Sequence, residues 1–257
     1  MIKIERTLRP MQLTDEKVRE LTLEYIQNNK NVWNQEYIKN ALLFMSHNKC
    51  VFCECILGEE SKYIEVEHFH PKSLYPEEVL KWSNLLSICK RCNGLKRDHD
   101  TKLIPIINPT ENDPRQHLYM QNYRMKNKDE IGKRTIRLLQ LNDGDRLLLP
   151  RFKIGNAVAE ILDNLVKWIE KTNGTKMIEE ENELISKVGN LLKSCQPDAE
   201  YSTTCSYALL SDENFYLIKR HMLDREIWNV DLEKLEGDCK KYCLINDTSF
   251  GRVEETC

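Results

Sequence analysis

The stretch Glu67-His68-Phe69-His70-Pro71-Lys72-Ser73 lies between two cysteine pairs, Cys50-Val51-Phe52-Cys53 and Cys89-Lys90-Arg91-Cys92. Each Cys-x-x-Cys pair can form a knuckle that presents two thiolates to one metal, and two knuckles complete the tetrahedral ligand set that zinc prefers. The 35 residues between the knuckles are too many for a simple zinc ribbon, so we expect a folded element between them. The predicted ligands of this structural Zn²⁺ are Cys50, Cys53, Cys89 and Cys92.

The spacer between the knuckles carries the second part of the pattern. Its first part alternates like a β-strand, and Pro71 ends that strand because proline cannot donate a ladder hydrogen bond. Trp82-Ser83-Asn84-Leu85-Leu86 then precedes the second knuckle, and Asn93-Gly94-Leu95-Lys96 follows it. Over about residues 50–97 this order resembles the HNH endonuclease signature. The resemblance implies two antiparallel strands and a helix around one catalytic metal, which is a small ββα-metal, treble-clef-like core.

The resemblance also assigns roles, and elementary chemistry agrees with them. His68 suits a general base, because an unperturbed imidazole titrates near neutrality. Glu67 and Asn93 offer hard oxygen ligands that suit a catalytic Mg²⁺ or Mn²⁺, and Asn84 is expected to brace the loop by hydrogen bonds to backbone. Neighbours on a flat strand point to opposite faces. Glu67 and His68 can therefore share a site only if the strand ends or twists there, and Pro71 is placed to cause this.

Other polar residues near the motif are accessory candidates. Between residues 81 and 102 the chain has six basic and two acidic residues, and Lys96 and Arg97 within it could meet substrate phosphates. A solvated helix face is the alternative for these two. His70 shares a strand face with His68, and His99 follows the motif, so each could be a ligand or a substrate contact. A packed or solvent-facing imidazole is the alternative for both.

Composition restricts the class of protein. The chain has 257 residues and a net charge of −3, whereas a free-standing nucleic-acid binder is usually basic. Contact with a nucleic acid must therefore come from a local patch or a partner. The first residues lack the apolar core of a signal peptide, and no apolar run approaches the ~20 residues that cross a bilayer, so we expect a cytoplasmic protein without a membrane partner. Ten cysteines in a reducing compartment indicate metal ligands or free thiols.

The chain is predicted to be α+β and mainly helical, with the small core flanked by N-terminal and C-terminal helices. A first helix is predicted to start after the cap Thr14 and to bury Val18, Leu21 and Ile26 as far as about residue 27, and a second to follow the cap Asn34 over 34–47. Later helices are predicted over 129–141, 154–171 and 176–195. The predicted segments are an N-terminal tail with helices (1–47), the nuclease core with its knuckles (48–100), a connecting arm (101–128) and a C-terminal helical region (129–257).

Further segments resemble one HNH subfamily, the PtuB-type nucleases of Septu and retron-linked antiphage systems. The similarity runs from the start to about residue 151. It implies a defence effector regulated by a PtuA-type ATPase, with the irregular first 12 residues as a docking element that can order on the partner. A retron reverse transcriptase with its msDNA is a further candidate partner. The segments that carry the similarity are Met1–Ile4, Cys50–Glu54, Val66–Lys72, Trp82–Leu86, Asn108-Pro109, Asp113-Pro114 and Thr135–Asn142.

The leading hypothesis is therefore a metal-dependent HNH endonuclease that cleaves DNA or RNA as a defence effector. One alternative is a modification-dependent or other restriction-type HNH nuclease, whose base-reading module could lie in the C-terminal helical half. Another is a non-catalytic zinc module that binds nucleic acid or protein. A missing general base would favour that module, but His68, Glu67 and Asn93 are all present.

Overall fold

The computed structural model describes residues 1–58, 63–172 and 178–246, and this part is mainly helical with two small two-stranded sheets. The α+β, mainly helical class is the predicted one. The chain divides into two compact units. Unit 1 comprises Met1–His117 and Asn127–Leu141, and unit 2 comprises Leu118–Lys126 and Asn142–Cys257. Over the described residues, no helix combines the length and the apolar character needed to cross a membrane.

Helix α1 of unit 1 (Asp15–Asn28) begins where its sequence predicts. The Thr14 side chain accepts a hydrogen bond from the Lys17 amide at 3.1 Å, which satisfies one of the free N–H groups of the first turn. Leu21 and Tyr25 form the buried face. The predicted burial of Ile26 is wrong, since its side chain is 52% exposed and Tyr25, one turn after Leu21, takes the inward position.

Helix α2 (Glu36–Met45) buries Ile38, Leu42 and Met45, whose spacing sets them on one face. Its cap differs from the prediction. The capping residue is Gln35, which makes no side-chain cap hydrogen bond, and Asn34 precedes it. The stability of this helix therefore comes from its apolar face and not from a capping side chain.

The centre of unit 1 is an antiparallel pair followed by a short helix. Strand β1 (Ile64–His68) pairs with β2 (Leu85–Cys89) in a register that sets Ile64 opposite Cys89 and His68 opposite Leu85. Every residue of β2 is buried, and helix α3 (Lys90–Lys96) begins directly after it. Helix α2 packs on the pair, where the Ser87 hydroxyl donates to the Leu42 carbonyl at 3.3 Å.

The N-terminal segment is irregular, as predicted, but most of it is built into unit 1. Met1, Ile2 and Ile4 are buried. The Arg6 guanidinium donates to the carbonyls of Trp82, Ser83 and Leu85 at 2.6–3.0 Å. The predicted 12-residue docking tail must therefore be corrected. The first seven residues are held within their own unit, and the exposed apolar side chains of the segment are Leu8 and Met11.

Two short helices complete unit 1. They are α4 (Pro114–His117) and α5 (Glu130–Leu138), and the Asp129 carboxylate caps α5 by accepting from the Gly132 amide at 2.8 Å. The Arg91 guanidinium, beside the second knuckle, donates to the carbonyls after α5 at 3.2 and 2.9 Å. These bonds attach the segment 127–141 to the knuckle that precedes it in sequence by about 40 residues.

Unit 2 begins with a β-hairpin. It lies in the segment 101–128, which was predicted to be a connecting arm. Strands β3 (Leu118–Gln121) and β4 (Arg124–Asn127) flank the two-residue turn Asn122-Tyr123, where both residues have positive φ, at 49° and 61°. Such a turn suits the right-handed twist of a hairpin. The Tyr123 ring packs so closely on Gly155 that a Cβ at 155 would collide with it.

The rest of unit 2 is helical around its own apolar core. Helix α6 starts five residues before the predicted 154, and the helix predicted over 176–195 is described from residue 178, so that its predicted start lies outside the described residues. The core includes the buried thiols of Cys195, Cys205, Cys239 and Cys243, whereas Cys257 lies outside the described residues. The helices are α6 (Leu149–Thr172), α7 (Ile178–Lys193), α8 (Ser202–Leu210), α9 (Glu213–Asp224) and α10 (Val230–Tyr242).

Candidate metal and active site

The four cysteines of the two knuckles meet in unit 1. Their sulfur atoms all lie within 4.8 Å of one another, and all four side chains are buried. Cys53 Sγ and Cys89 Sγ are 3.7 Å apart. A tetrahedral shell with Zn–S bonds of about 2.3 Å sets its sulfurs roughly 3.8 Å apart. The cluster of Cys50, Cys53, Cys89 and Cys92 could therefore hold a zinc ion.

Local backbone geometry forms each knuckle. In the first, the Cys50 amide donates to the Cys55 carbonyl and the Glu54 amide donates to the Cys50 carbonyl, both at 2.9 Å. The second knuckle spans the junction of β2 and α3, where the Cys89 sulfur accepts from the Cys92 amide at 3.5 Å. A fifth thiol, Cys55, lies beside the cluster with its sulfur 3.5 Å from that of Cys53.

The thiols in this cluster cannot all ionise without a cation. Burial raises the pKa of Cys50, and hydrogen bonds from neighbouring thiols raise the pKa of Cys92. Hydrogen bonds from Cys50 and Cys55 lower the pKa of Cys53. Protons are thus shared within the cluster, and a divalent ion that replaces them is the arrangement that this donor set favours.

A cavity of about 280 Å³ lies beside β1. Glu67, His68 and Asn93 all line it. All residues of β1 line this cavity, and His68 is the last residue of the strand. The predicted base and both predicted oxygen ligands are therefore brought together by the end of β1 and the first half of α3.

One ring nitrogen of His68 is fixed by the backbone. Its Nε2 lies 2.9 Å from the Val79 carbonyl, and because a carbonyl only accepts, Nε2 carries the proton in the neutral ring. Nδ1 is then the atom with a free lone pair. Burial, followed by the charge of Lys72, lowers the pKa of His68 to about 3, so the ring is neutral at physiological pH. The Trp33 ring packs edge-on against it with centroids 4.8 Å apart.

Asn84 holds the loop that carries Val79. Its Oδ1 accepts from the His70 amide at 2.7 Å, and its Nδ2 donates to the carbonyls of His70 and Glu78 at 3.0 and 3.3 Å. The side chain is buried, so these bonds replace those that water would make. Asn84 thereby fixes the position of the Val79 carbonyl, which in turn orients His68.

Lys96 points into the protein and not toward a substrate phosphate. Its ammonium is fully buried, 2.5 Å from Glu67 Oε1 and 3.0 Å from the His68 carbonyl. The predicted phosphate contact is therefore replaced by an internal ion pair. Burial raises the pKa of Glu67 and the charge of Lys96 opposes that rise. Glu67 Oε1 is thus already paired with Lys96, whereas the Asn93 side chain makes no hydrogen bond within the described residues.

The three accessory residues predicted near the motif lie outside the cavity lining. His70 Nδ1 donates to the Thr101 hydroxyl at 2.7 Å, since that hydroxyl gives its own proton to the Phe69 carbonyl. Arg97 is exposed and donates to the Gly94 carbonyl at 3.0 Å. His99 Nε2 lies 2.7 Å from the Ile104 carbonyl. These contacts brace the loops that flank the site.

A similar protein supports the resemblance of this sequence to the PtuB type. A Septu protein PtuB from Bacillus thuringiensis is 45% identical to the chain over 249 residues, which cover 95% of this chain and 96% of the relative. This chain belongs to the PtuB family of Septu proteins. A second Septu protein PtuB, from Bacillus mycoides strain KBAB4, is 29% identical over 173 residues, which are 52% of this chain and 57% of that relative. No protein-family model and no solved structure match the chain.

In this member of the PtuB family, the cavity also has a wall that sequence reasoning missed. It comes from the loop between α1 and α2, which contributes Asn31, Trp33 and Asn34, and from Lys72 beyond the end of β1. Lys72 stood within a recognised motif without a predicted role. The loop residues carry no motif of their own and lie about 30 residues before β1, so no spacing in the sequence connects them with His68.

Proposed function

We propose that this chain is a metal-dependent HNH endonuclease that hydrolyses phosphodiester bonds. The observation that carries the proposal is the single cavity that holds Glu67, His68 and Asn93, with His68 presenting Nδ1 as its free nitrogen. The order of β1, β2 and α3 around this cavity fits the ββα-metal core that the sequence implies. The four-cysteine cluster at the start of α3 fits the structural zinc.

The proposed chemistry divides between the residues of the cavity. Glu67 and Asn93 would hold Mg²⁺ or Mn²⁺ through oxygen atoms, which are the ligands that these cations prefer. When bound, such a cation draws charge from the scissile phosphate and stabilises the leaving oxygen. His68 takes a proton from the attacking water at Nδ1 while Nε2 remains bound to the Val79 carbonyl. Asn84 and the Lys96 ion pair position these groups without reaching the substrate.

The four-cysteine zinc would have a structural role. Its second knuckle forms the junction of β2 and α3, and α3 carries Asn93 while β1 carries Glu67 and His68. A zinc ion would fix this helix against the pair of strands. The distance between the two predicted oxygen ligands would then be set by the metal cluster and not by the short helix alone, since an isolated seven-residue helix is marginal.

The biological role follows from the family. The relatives are named Septu proteins, and we propose that this chain is the nuclease effector of a Septu-type antiphage system, regulated by a PtuA-type ATPase. A net charge of −3 supports a partner that contributes part of the nucleic-acid binding. The exposed side chains of Leu8 and Met11 are the part of the N-terminal segment that could dock on it. The retron reverse transcriptase with its msDNA stays a candidate partner from sequence alone.

The test is cleavage by the chain co-expressed with its neighbouring ATPase. We expect Mg²⁺- or Mn²⁺-dependent cleavage of plasmid DNA or structured RNA that His68→Ala lowers at least 100-fold, because a positioned base contributes about 10²–10⁴-fold. His221→Ala is the matched control, since His221 lies on α9 in unit 2. Zinc content should be equal in all three proteins. Absence of cleavage by the wild type with every metal, in a zinc-loaded complex, would instead favour the non-catalytic binding module.

A further inference from the structure

One ammonium group faces the cavity without an acidic partner. Lys72 lines the cavity beside Glu67 and His68, and its charge lowers the pKa of both. Among the described residues, Lys72 makes no ion pair with a carboxylate. Its ammonium is instead placed over the face of the Trp33 ring, 4.8 Å from the centroid.

The contact with the Trp33 ring leaves the positive charge of Lys72 without a neutralising carboxylate. A carboxylate would neutralise the ammonium and occupy its donors, whereas an aromatic face attracts the charge without accepting a strong hydrogen bond. The Trp33 ring is itself fixed, because Tyr25 and His68 each pack edge-on against it with centroids 5.6 and 4.8 Å away. Lys72 is therefore held near the predicted base with its N–H groups free to meet an anion.

The other basic side chains around the site are committed to protein groups. Lys96 is buried on Glu67, and Lys102 bonds to Glu78 at 3.0 Å. Arg6 is directed at backbone carbonyls, and Arg97 bonds to its own helix. Of the described residues that line the cavity, Lys72 is thus the one lysine or arginine.

We propose that Lys72 binds a phosphate of the nucleic-acid backbone in this cavity and that Trp33 holds it in place. This inference rests on the proposed nuclease function and deepens it by naming a substrate-binding residue. The ligand is a phosphodiester oxygen, so the contact is independent of base sequence. It sets the scissile phosphate beside His68 Nδ1 and the oxygens of Glu67 and Asn93.

The experiment compares Lys72→Met with Lys72→Arg and with Lys17→Met in the complex with the ATPase. Lys17 is the matched control, because it is a half-exposed lysine of α1 that pairs with Glu20 and does not line the cavity. We expect Lys72→Met to lower kcat/KM about tenfold or more and to make its salt dependence shallower by about one in log–log slope, as loss of one phosphate contact does. Lys72→Arg should retain most of the wild-type kcat/KM and most of the salt slope. Lys17→Met should match the wild type in both quantities.

A second pair of variants tests the role of the ring. Trp33→Phe keeps an aromatic face and should retain more of the salt slope than Trp33→Leu, which removes that face and should reproduce the effect of Lys72→Met on the slope. Zinc content and the thermal transition of each variant report whether it is folded. The proposal is overturned if Lys72→Met retains the wild-type kcat/KM and salt slope, or if Lys17→Met loses as much.

Direct binding separates this inference from the proposed function. The probe is a fluorescein-labelled 30-base-pair DNA duplex, with a hairpin RNA in parallel, and its anisotropy is followed against salt in Ca²⁺ without cleavage. If the wild type binds but never cleaves, the nuclease proposal fails, while a shallower slope for Lys72→Met still supports the phosphate contact. If cleavage depends on His68 but binding and its slope are unchanged in Lys72→Met, the nuclease proposal stands and the phosphate contact is rejected.

Discussion

At the scale of single residues, the ion pair between Lys96 and Glu67 gives a sharp expectation. The ammonium is fully buried and the carboxylate nearly so. We expect Lys96→Met to destabilise unit 1 by about 3–5 kcal/mol, because it leaves a buried carboxylate without its counterion. Urea unfolding followed by the fluorescence of Trp33 and Trp82 would measure this change.

The control for that pair is a double-mutant cycle. Glu67→Gln alone leaves the Lys96 ammonium buried without its partner, whereas Lys96→Met with Glu67→Gln removes both charges. The double variant should therefore be more stable than the sum of the single losses implies. Strictly additive losses would mean that the two side chains do not act as a pair.

His68 gives an expectation about pH. Its pKa is lowered from 6.5 to about 3 in the folded protein, by burial first and by the Lys72 charge second. Between these two values the unfolded chain binds a proton that the folded chain does not, so stability is complete above pH 6.5 and falls as the pH decreases toward 3. We expect His68→Gln to lose less stability than the wild type between pH 7 and pH 5, measured by urea unfolding at each pH.

Acid also removes zinc from both the wild type and His68→Gln. The difference between their stability curves therefore reports the contribution of His68. Glutamine suits the comparison because its amide can donate to the Val79 carbonyl in the way that His68 Nε2 does. Parallel pH curves for the two proteins would indicate that His68 has an ordinary pKa in the folded chain.

The residues of the site were predictable to the degree that they belong to a local motif. The cysteines, Glu67, His68 and Asn93 were predicted from a local spacing; the structure groups the four thiols and sets the other three residues on one cavity, and their roles stay predictions. The role of Lys96 was not, because its burial depends on how α3 packs against β1. Trp33 reaches the cavity from another part of unit 1, and nothing in its neighbourhood distinguishes it from a core tryptophan.

At the scale of elements, local signals could again be predicted from the sequence, whereas contacts between distant parts of the chain could not. The start of α1 was predictable because a threonine cap followed by acidic residues is a local signal. The hairpin of β3 and β4 was missed because its turn, Asn122-Tyr123, lacks the glycine that usually marks two positive φ angles. Its support comes from residues far along the chain, such as Leu244, whose carbonyl accepts from the Met120 amide at 2.6 Å.

The knuckles are the elements on which the geometry of the proposed active site would depend. Cys92→Ser should release zinc and abolish cleavage, whereas Cys243→Ser should keep both, because Cys243 is a buried thiol of unit 2 outside the cluster. Metal content measured by mass spectrometry beside activity would test this. Full zinc retention in Cys92→Ser would reject the four-cysteine site.

At the scale of the whole molecule, the two units have different sources of stability. Unit 1 would combine its buried apolar side chains with the proposed zinc, whose binding in small domains contributes about 10–16 kcal/mol to folding, whereas unit 2 has an apolar core without a metal cluster among its described residues. We expect a zinc chelator to remove hydrogen-exchange protection from β1, β2 and α3 while α8, α9 and α10 keep theirs. Unchanged protection in β2 and α3 after complete zinc removal would contradict this expectation.

Because the two units occupy different parts of the chain, the ribosome finishes the synthesis of unit 1 before that of unit 2. All residues of unit 1 precede Asn142, whereas the hairpin of unit 2 must wait for Leu244. At ~5–20 residues per second, the roughly 100 residues between these points take about 5–20 s to synthesise. During that interval the nascent chain already carries all four knuckle cysteines and a complete cavity lining, while the Met120 amide of β3 still lacks its acceptor at Leu244. An unpaired strand edge is a template for aggregation, so this hairpin is the part of the newborn chain with most need of a chaperone.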